Sequence, residues 1–209
     1  MKKFVKREQF ENIFGEKALA YGLFYKHNIA LRFELELPHK GVFHEEFLYA
    51  WERAQTIIQR VFDSESRVGV CLALESDKKS TFSIREQIYD LKCTGITIPK
   101  GREYWFVLGE EDEGNEYYLY RHFILYDAPC KDLKSLVWIS LAKSLGIRPD
   151  INGEVYLFDL EKQILAHPYD NRGIDLISPN VDKLNPIYQD LNHLLFDYDR
   201  EKMDRVFKA

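Results

Sequence analysis

The chain has 209 residues, 45% hydrophobic and 30% charged, a length and balance that exclude a disordered or collagen-like chain and allow a core without disulfide or metal staples. A formal net charge of −5 with no Lys/Arg-rich block argues against nucleic-acid binding, which needs a basic face. No window approaches the ~18 consecutive apolar residues of a membrane span, and the start lacks the apolar core and cleavage site of a signal peptide.

In chain order, Phe10, Ile13 and Phe14 predict a helix over 7–14, stopped by Gly15. Residues 28–37 alternate, with Ile29, Leu31, Phe33, Leu35 and Leu37 inward and Ala30, Arg32, Glu34 and Glu36 outward, which predicts a half-buried strand. Apolar side chains at three- and four-residue spacing from Phe43 through Trp51 to Phe62 predict a helix over 43–62 whose stripe is core. Residues 68–74 are apolar on both faces and predict a central strand holding Cys71 as a buried thiol. A short helix over 82–92 precedes two aromatic-rich strands, 104–108 and 117–126, joined by the acidic run 110–116, an expected exposed hairpin loop.

A helix over 132–145 follows, with Asp132 as its expected N-cap and Gly146 as its stop. Residues 154–159, 163–168 and 173–178 read as a three-strand meander. After it, Asn185 is the expected cap of a helix starting at Pro186, and Asp199 of a last helix carrying Met203, Val206 and Phe207. The three cysteines, Cys71, Cys93 and Cys130, form no Cys-x-x-Cys pair, which argues against a zinc site and suits a reducing cytosol.

The segment His167-Pro168-Tyr169-Asp170-Asn171-Arg172-Gly173-Ile174-Asp175 resembles the Tyr-Asp-Asp-Arg-Gly-x-Asp hallmark of domain-of-unknown-function family 3885. Ile187-Tyr188 and Asp197-Tyr198-Asp199-Arg200 are similar to the Leu-Tyr and Asp-Tyr-Asp-Arg segments that follow in that family, and a fainter echo lies in Leu31-Arg32-Phe33-Glu34-Leu35, Arg53-Ala54 and Phe62. The resemblance covers about residues 153–207; Asn171 stands where the family has a second Asp, and Leu194 where a Trp is expected. It implies a bacterial intracellular protein with no assigned activity.

Two readings of this segment are open. In the architectural one, Asp170 accepts hydrogen bonds from its own turn, Gly173 supplies a positive φ at a bulge, and Arg172 pairs with Asp197, Asp199 or Asp175, knitting the hairpin to the last helices together with Arg200. In the other, Tyr169, Asp170, Asn171, Arg172, Gly173, Asp175, Asp197, Asp199 and Arg200 form a binding site for a ligand or partner. His167, Asp170 and Asp175 are the local trio that a hydrolase or metal-dependent phosphoesterase would use, with Arg172 stabilising an anion. No phosphate loop, dinucleotide fingerprint, nucleophile elbow or zincin motif occurs in the sequence.

The expected fold is α+β: a mostly antiparallel sheet with helices packed on one face or at its ends. An N-terminal α+β region, 1–150, is expected to fuse with a meander-plus-helices region, 151–209, into one unit. The expected function is that of a cytoplasmic, non-catalytic protein-binding module. Its partner would be another protein rather than nucleic acid or membrane, and no metal or cofactor is expected. A toxin-neutralising immunity protein fits the size and charge by analogy.

Overall fold

The longest apolar runs become the interior strands of one sheet in the computed structural model, which describes residues 5–38, 41–62, 66–108 and 119–208. The strands are β1 (Ala30–Glu34), β2 (Arg67–Ser76), β3 (Glu103–Leu108), β4 (Tyr120–Pro129), β5 (Gly153–Asp159), β6 (Ile164–Asp170) and β7 (Gly173–Ile177). They pair antiparallel in the order β1-β7-β6-β5-β2-β4-β3. The first strand therefore sits beside the last, and strands of the 1–150 and 151–209 regions share one sheet. The expected α+β fold with an antiparallel sheet is what forms.

Seven helices accompany the sheet among the described residues: α1 (Arg7–Phe14), α2 (Leu23–Lys26), α3 (Phe43–Phe62), α4 (Arg85–Cys93), α5 (Leu133–Leu145), α6 (Val181–Asp190) and α7 (Arg200–Phe207). The long α3 and α5 pack on one another and on β5–β7. Phe47, Trp51 and Trp138 form their seam, with Trp138 edge-on to Phe47 at 4.6 Å and to Trp51 at 5.7 Å. Each such pair contributes about 0.5–1.5 kcal/mol beyond its burial. This explains why α5 is apolar nearly all round: it meets α3 on one side and the sheet on the other.

The residues before β1 pack on the sheet as well. Phe10 stands edge-on to Phe158 of β5 at 4.9 Å, and Phe24 of α2 lies at 4.9 Å from the Arg32 guanidinium. Because this segment covers the side of β1 that carries Arg32, Ala30 and Arg32 are buried. Alternation along 28–37 marks two chemically different faces, and the polar one is not solvent-facing at Arg32.

Several local expectations shift for identifiable reasons. Asp132 occupies the position before α5 but makes no cap bond; its Oδ2 accepts from the Thr97 backbone N–H at 3.2 Å. α6 starts earlier than Pro186, capped by Asn180, whose Oδ1 accepts from Asp182 N–H at 2.9 Å, and Pro186 lies inside the helix. Gly146 ends α5 in the left-handed conformation, φ 64°, as expected. The acidic run 110–116 lies outside the described residues, as do Tyr117 and Tyr118 of the expected 117–126 strand.

Gly69 of β2 faces Phe158 across the β2–β5 pair, and a Cβ there would stand 2.2 Å from the Phe158 ring. Gly69→Ala is expected to destabilise the protein by about 1–3 kcal/mol, as overpacking does. A urea midpoint equal to that of the natural protein would contradict this close approach.

Candidate functional site

Direct cross-strand pairing puts Arg32 of β1 opposite Asp175 of β7, and Asp175 opposite His167 of β6. Directly opposed residues share a face of the sheet. The three side chains thus line one row under the N-terminal segment. Arg32 and Asp175 close as a two-pronged pair: Nε donates to Oδ1 at 2.8 Å and Nη2 to Oδ2 at 3.0 Å. The third prong, Nη1, reaches Asp199 Oδ2 at 3.3 Å. Asp175 Oδ2 also accepts from the Phe24 backbone N–H at 3.1 Å, and Asp199 Oδ2 from the Tyr25 hydroxyl at 3.1 Å.

Arg32, Asp175 and Asp199 are all buried. Three rings enclose the guanidinium: Tyr25 at 4.5 Å, Phe24 at 4.9 Å and Tyr169 at 5.5 Å. Burial works against the charge on Arg32, but the Asp175 carboxylate outweighs it and holds the guanidinium protonated above its ordinary range. Burial and the bond to Asp199 keep the Tyr25 phenol protonated, and burial beside Asp175 does the same for Tyr169. Each nitrogen of the guanidinium bonds a carboxylate within the molecule.

The expected motif residues therefore divide. Asp175 and Asp199 meet at Arg32, which the sequence marked only through the echo around Leu31–Leu35. Asp199 stands before α7 but makes no cap bond, because its carboxylate turns to Arg32 and Tyr25. Arg172 does not pair with Asp175, Asp197 or Asp199. It folds back on Asp170, whose Oδ2 accepts from Nε at 2.9 Å and Nη2 at 2.7 Å while Oδ1 accepts from Arg172 N–H at 2.8 Å. The pair is short-range because both side chains leave one tight turn.

Asn171 Oδ1 accepts from Ser144 of α5 at 2.6 Å, and Arg200 holds Asp197 at 3.0 Å and the Asn192 carbonyl at 2.7 Å. The irregularity in the β6–β7 pair lies between Pro168 and Asp170, at Tyr169. Gly173 has no positive φ. A glycine is needed there for space, since a Cβ would meet the Tyr169 hydroxyl at 2.0 Å and the Phe33 carbonyl at 2.7 Å.

His167, Asp170 and Asp175 do not converge. His167 Nε2 lies 2.9 Å from Glu154 Oε2, and its ring stacks on Tyr156 at 4.3 Å. Glu154 also takes a bond from Lys143 Nζ at 3.0 Å. Asp175 is spent on Arg32, and Asp170 lies past the irregularity, in the turn. Among the described residues no group of three His, Cys, Asp or Glu side chains is placed to hold a metal ion. Surface clefts of about 870 Å³, between α3 and α6, and about 370 Å³, at Trp51, Trp138 and Pro149, lie away from the motif.

The row continues as a polar layer. The Tyr156 hydroxyl and Arg121 Nη1 both donate to the Leu19 carbonyl, each at 3.1 Å. Tyr21 donates to Glu75, and the Arg121 guanidinium lies 4.3 Å from the Tyr21 ring. Sequence reasoning missed Arg32, Glu154, Lys143 and Arg121 as site residues. The one legible signal was an arginine amid the apolar Leu31 and Phe33.

Asp175→Ala is expected to cost about 3–5 kcal/mol, the penalty for stranding a buried charge. Asp170→Ala, which frees an exposed Arg172 and one turn N–H, is expected to cost about 1–2 kcal/mol. Equal losses by urea denaturation would contradict the division between buried cluster and surface turn. Burial pushes the Glu154 carboxyl up, but His167 and Lys143 outweigh it and hold it below its ordinary value of 4.5. A carboxyl depressed in the folded state stabilises above that ordinary value, and the contribution is lost as pH falls through the folded one. Glu154→Gln is therefore expected to flatten the loss of stability on acidification below about pH 5, read as urea midpoints across that window.

No helix of the described residues is long and apolar enough to cross a membrane. No curated protein and no solved structure matches the chain. The profile of a domain of unknown function, DUF3885, matches residues 7–199. That span runs from α1 to Asp199 and takes in Arg32 together with both of its carboxylate partners, well beyond the last quarter of the chain. The protein belongs to the DUF3885 family.

Proposed function

We propose that the protein is a non-catalytic binding module that recognises another protein through the aromatic surface built on the Arg32 cluster. The observation that carries this reading is the placement of the exposed Tyr25 directly over that cluster, with the exposed Tyr198 next to Asp199 in the chain. Tyr25, 59% exposed, keeps its ring on the Arg32 guanidinium and its hydroxyl on Asp199. Tyr198, 85% exposed, precedes Asp199 in the turn before α7 and lies 6.3 Å from the Phe196 ring. Lys202 completes the patch, with Nζ 4.3 Å from the Phe24 ring and bonded to the Phe24 carbonyl at 2.8 Å.

Exposed aromatic rings fixed before binding offer large contact area at little entropic cost, which is the chemistry of interface anchors. Two motif acids support the reading from beneath: Asp175 and Asp199 fix Arg32, and Asp199 holds the Tyr25 hydroxyl. Free thiols at the exposed Cys93 and the buried Cys71 suit a reducing compartment such as the cytoplasm.

The test is affinity capture from native lysate with the full chain and with Tyr198→Ala. An exposed side chain of this kind contributes within about 0.5 kcal/mol to stability, so the variant should unfold at the same urea concentration as the natural protein. The expected result is a stoichiometric protein partner retained by the natural chain and lost by the variant. Retention of the same proteins by both, or of none by either, would sink the assignment to this face.

A further inference from the structure

We infer that β3 is the docking edge for a second copy of this chain, the two sheets joining edge to edge across a two-fold axis. The site lies at the opposite end of the sheet from the Tyr25–Tyr198 surface and does not depend on that surface's role. The two ends of the sheet differ in how they are finished. β1 is covered on its outer side: Phe33 bridges to Leu195, and the Phe196 N–H donates to the Arg32 carbonyl at 2.9 Å. β3 pairs only with β4 and ends the sheet, and among the described residues no backbone group pairs with its outer side.

Open edges are normally guarded by lysines, prolines or bulges. β3 reads Glu-Tyr-Trp-Phe-Val-Leu, without Lys, Arg or Pro, and its register with β4 runs unshifted from Glu103 to Leu108. Val107 is 42% and Leu108 51% exposed, and Tyr104 is exposed beside them. The strand is nonetheless held firmly. Tyr104 bonds His122 Nδ1 at 2.8 Å, Trp105 stacks on Phe123 at 5.0 Å, and Arg7 lies 4.7 Å from the Trp105 ring. An extended, pre-formed backbone whose outer side has no partner among the described residues accepts another strand.

Charge and symmetry favour a second copy as that strand. A two-fold axis normal to a sheet pairs antiparallel edges so that opposed residues come from the same face, which requires partners an even number of positions apart. With the axis at Phe106, Tyr104 meets Leu108, Trp105 meets Val107, and Phe106 meets its own copy. Glu103, the only charged side chain of the strand, falls outside the paired stretch and already accepts the Arg7 N–H at 2.9 Å. Every opposed pair is then apolar or aromatic, the combination that stabilises cross-strand contacts. The contact is isologous, so it closes at two chains.

Sedimentation equilibrium on the full chain is expected to give a mass twice that of the 24.8-kDa chain. Leu108→Glu, with an unchanged urea midpoint, is expected to weaken self-association about tenfold, since it sets a carboxylate opposite Tyr104 on both sides of the axis. Phe106→Cys in a Cys93→Ser background is expected to form a disulfide-linked dimer on mild oxidation, while Leu108→Cys in that background does not. A natural chain that stays monomeric at its highest soluble concentration overturns the inference, whether or not another protein's strand fills the edge. A dimer indifferent to Leu108→Glu, or one in which Phe106→Cys fails to cross-link, overturns it equally.

Discussion

The salt bridge between Arg32 and Asp175 is the constraint on which the rest of this structure depends. It joins the first strand to the last, and through Asp199 it adds the turn before α7. Phe24 and Tyr25 enter the same cluster from α2, one through its backbone N–H and the other through its hydroxyl. One guanidinium thus ties the neighbouring α2 and β1 to two segments that lie more than 130 residues further along the chain, β7 and the turn before α7. An ion pair so deeply buried gains little net energy over an apolar replacement, because desolvating the charges offsets their attraction. Its contribution lies in geometry: three prongs and three rings leave Arg32 one place to be.

The same sheet face continues as a layer of polar side chains beneath the N-terminal segment. His167, Glu154 and Lys143 form one chain of contacts, and Tyr156 and Arg121 form another that ends on the Leu19 carbonyl. A buried polar layer is tolerable where its groups find partners. Here the irregular backbone between α1 and β1 supplies one, a carbonyl that no helix uses. Segment and layer therefore require each other, since lifting the segment would take the Leu19 carbonyl from both the Tyr156 hydroxyl and Arg121 Nη1. The family match from α1 to Asp199 spans both sides of this dependence.

Much of the fold was legible because local patterns decide it. The 43–62 periodicity, the double-faced apolar run at 68–74 and the Gly146 stop each express physics contained within a few residues. The site was less legible because its pairings are not local. Nothing near Asp199 distinguishes a carboxylate that caps α7 from one that crosses to Arg32, and Asp132 poses the same ambiguity with Thr97. Gly173 illustrates another limit. A glycine in a turn suggests an unusual φ, whereas here the approach of the Tyr169 hydroxyl and the Phe33 carbonyl excludes a Cβ. Arg172 carries the opposite lesson: the most conspicuous charge in the motif pairs with its neighbour but one.

The strand order has a consequence for how the chain is made. β1 lies beside β7 and nothing else in the sheet, so Ala30 waits for Ile177 before it can pair. During synthesis, the segment holding β1 leaves the ribosome with Arg32 charged, its flanking Leu31 and Phe33 unburied, and both carboxylate partners still unmade. Closing that loop is entropically slow compared with forming the β5–β7 meander. The meander is thus the template on which the first strand lands, and the aromatic surface over Arg32 comes into being only after Asp175 and Asp199 have been made.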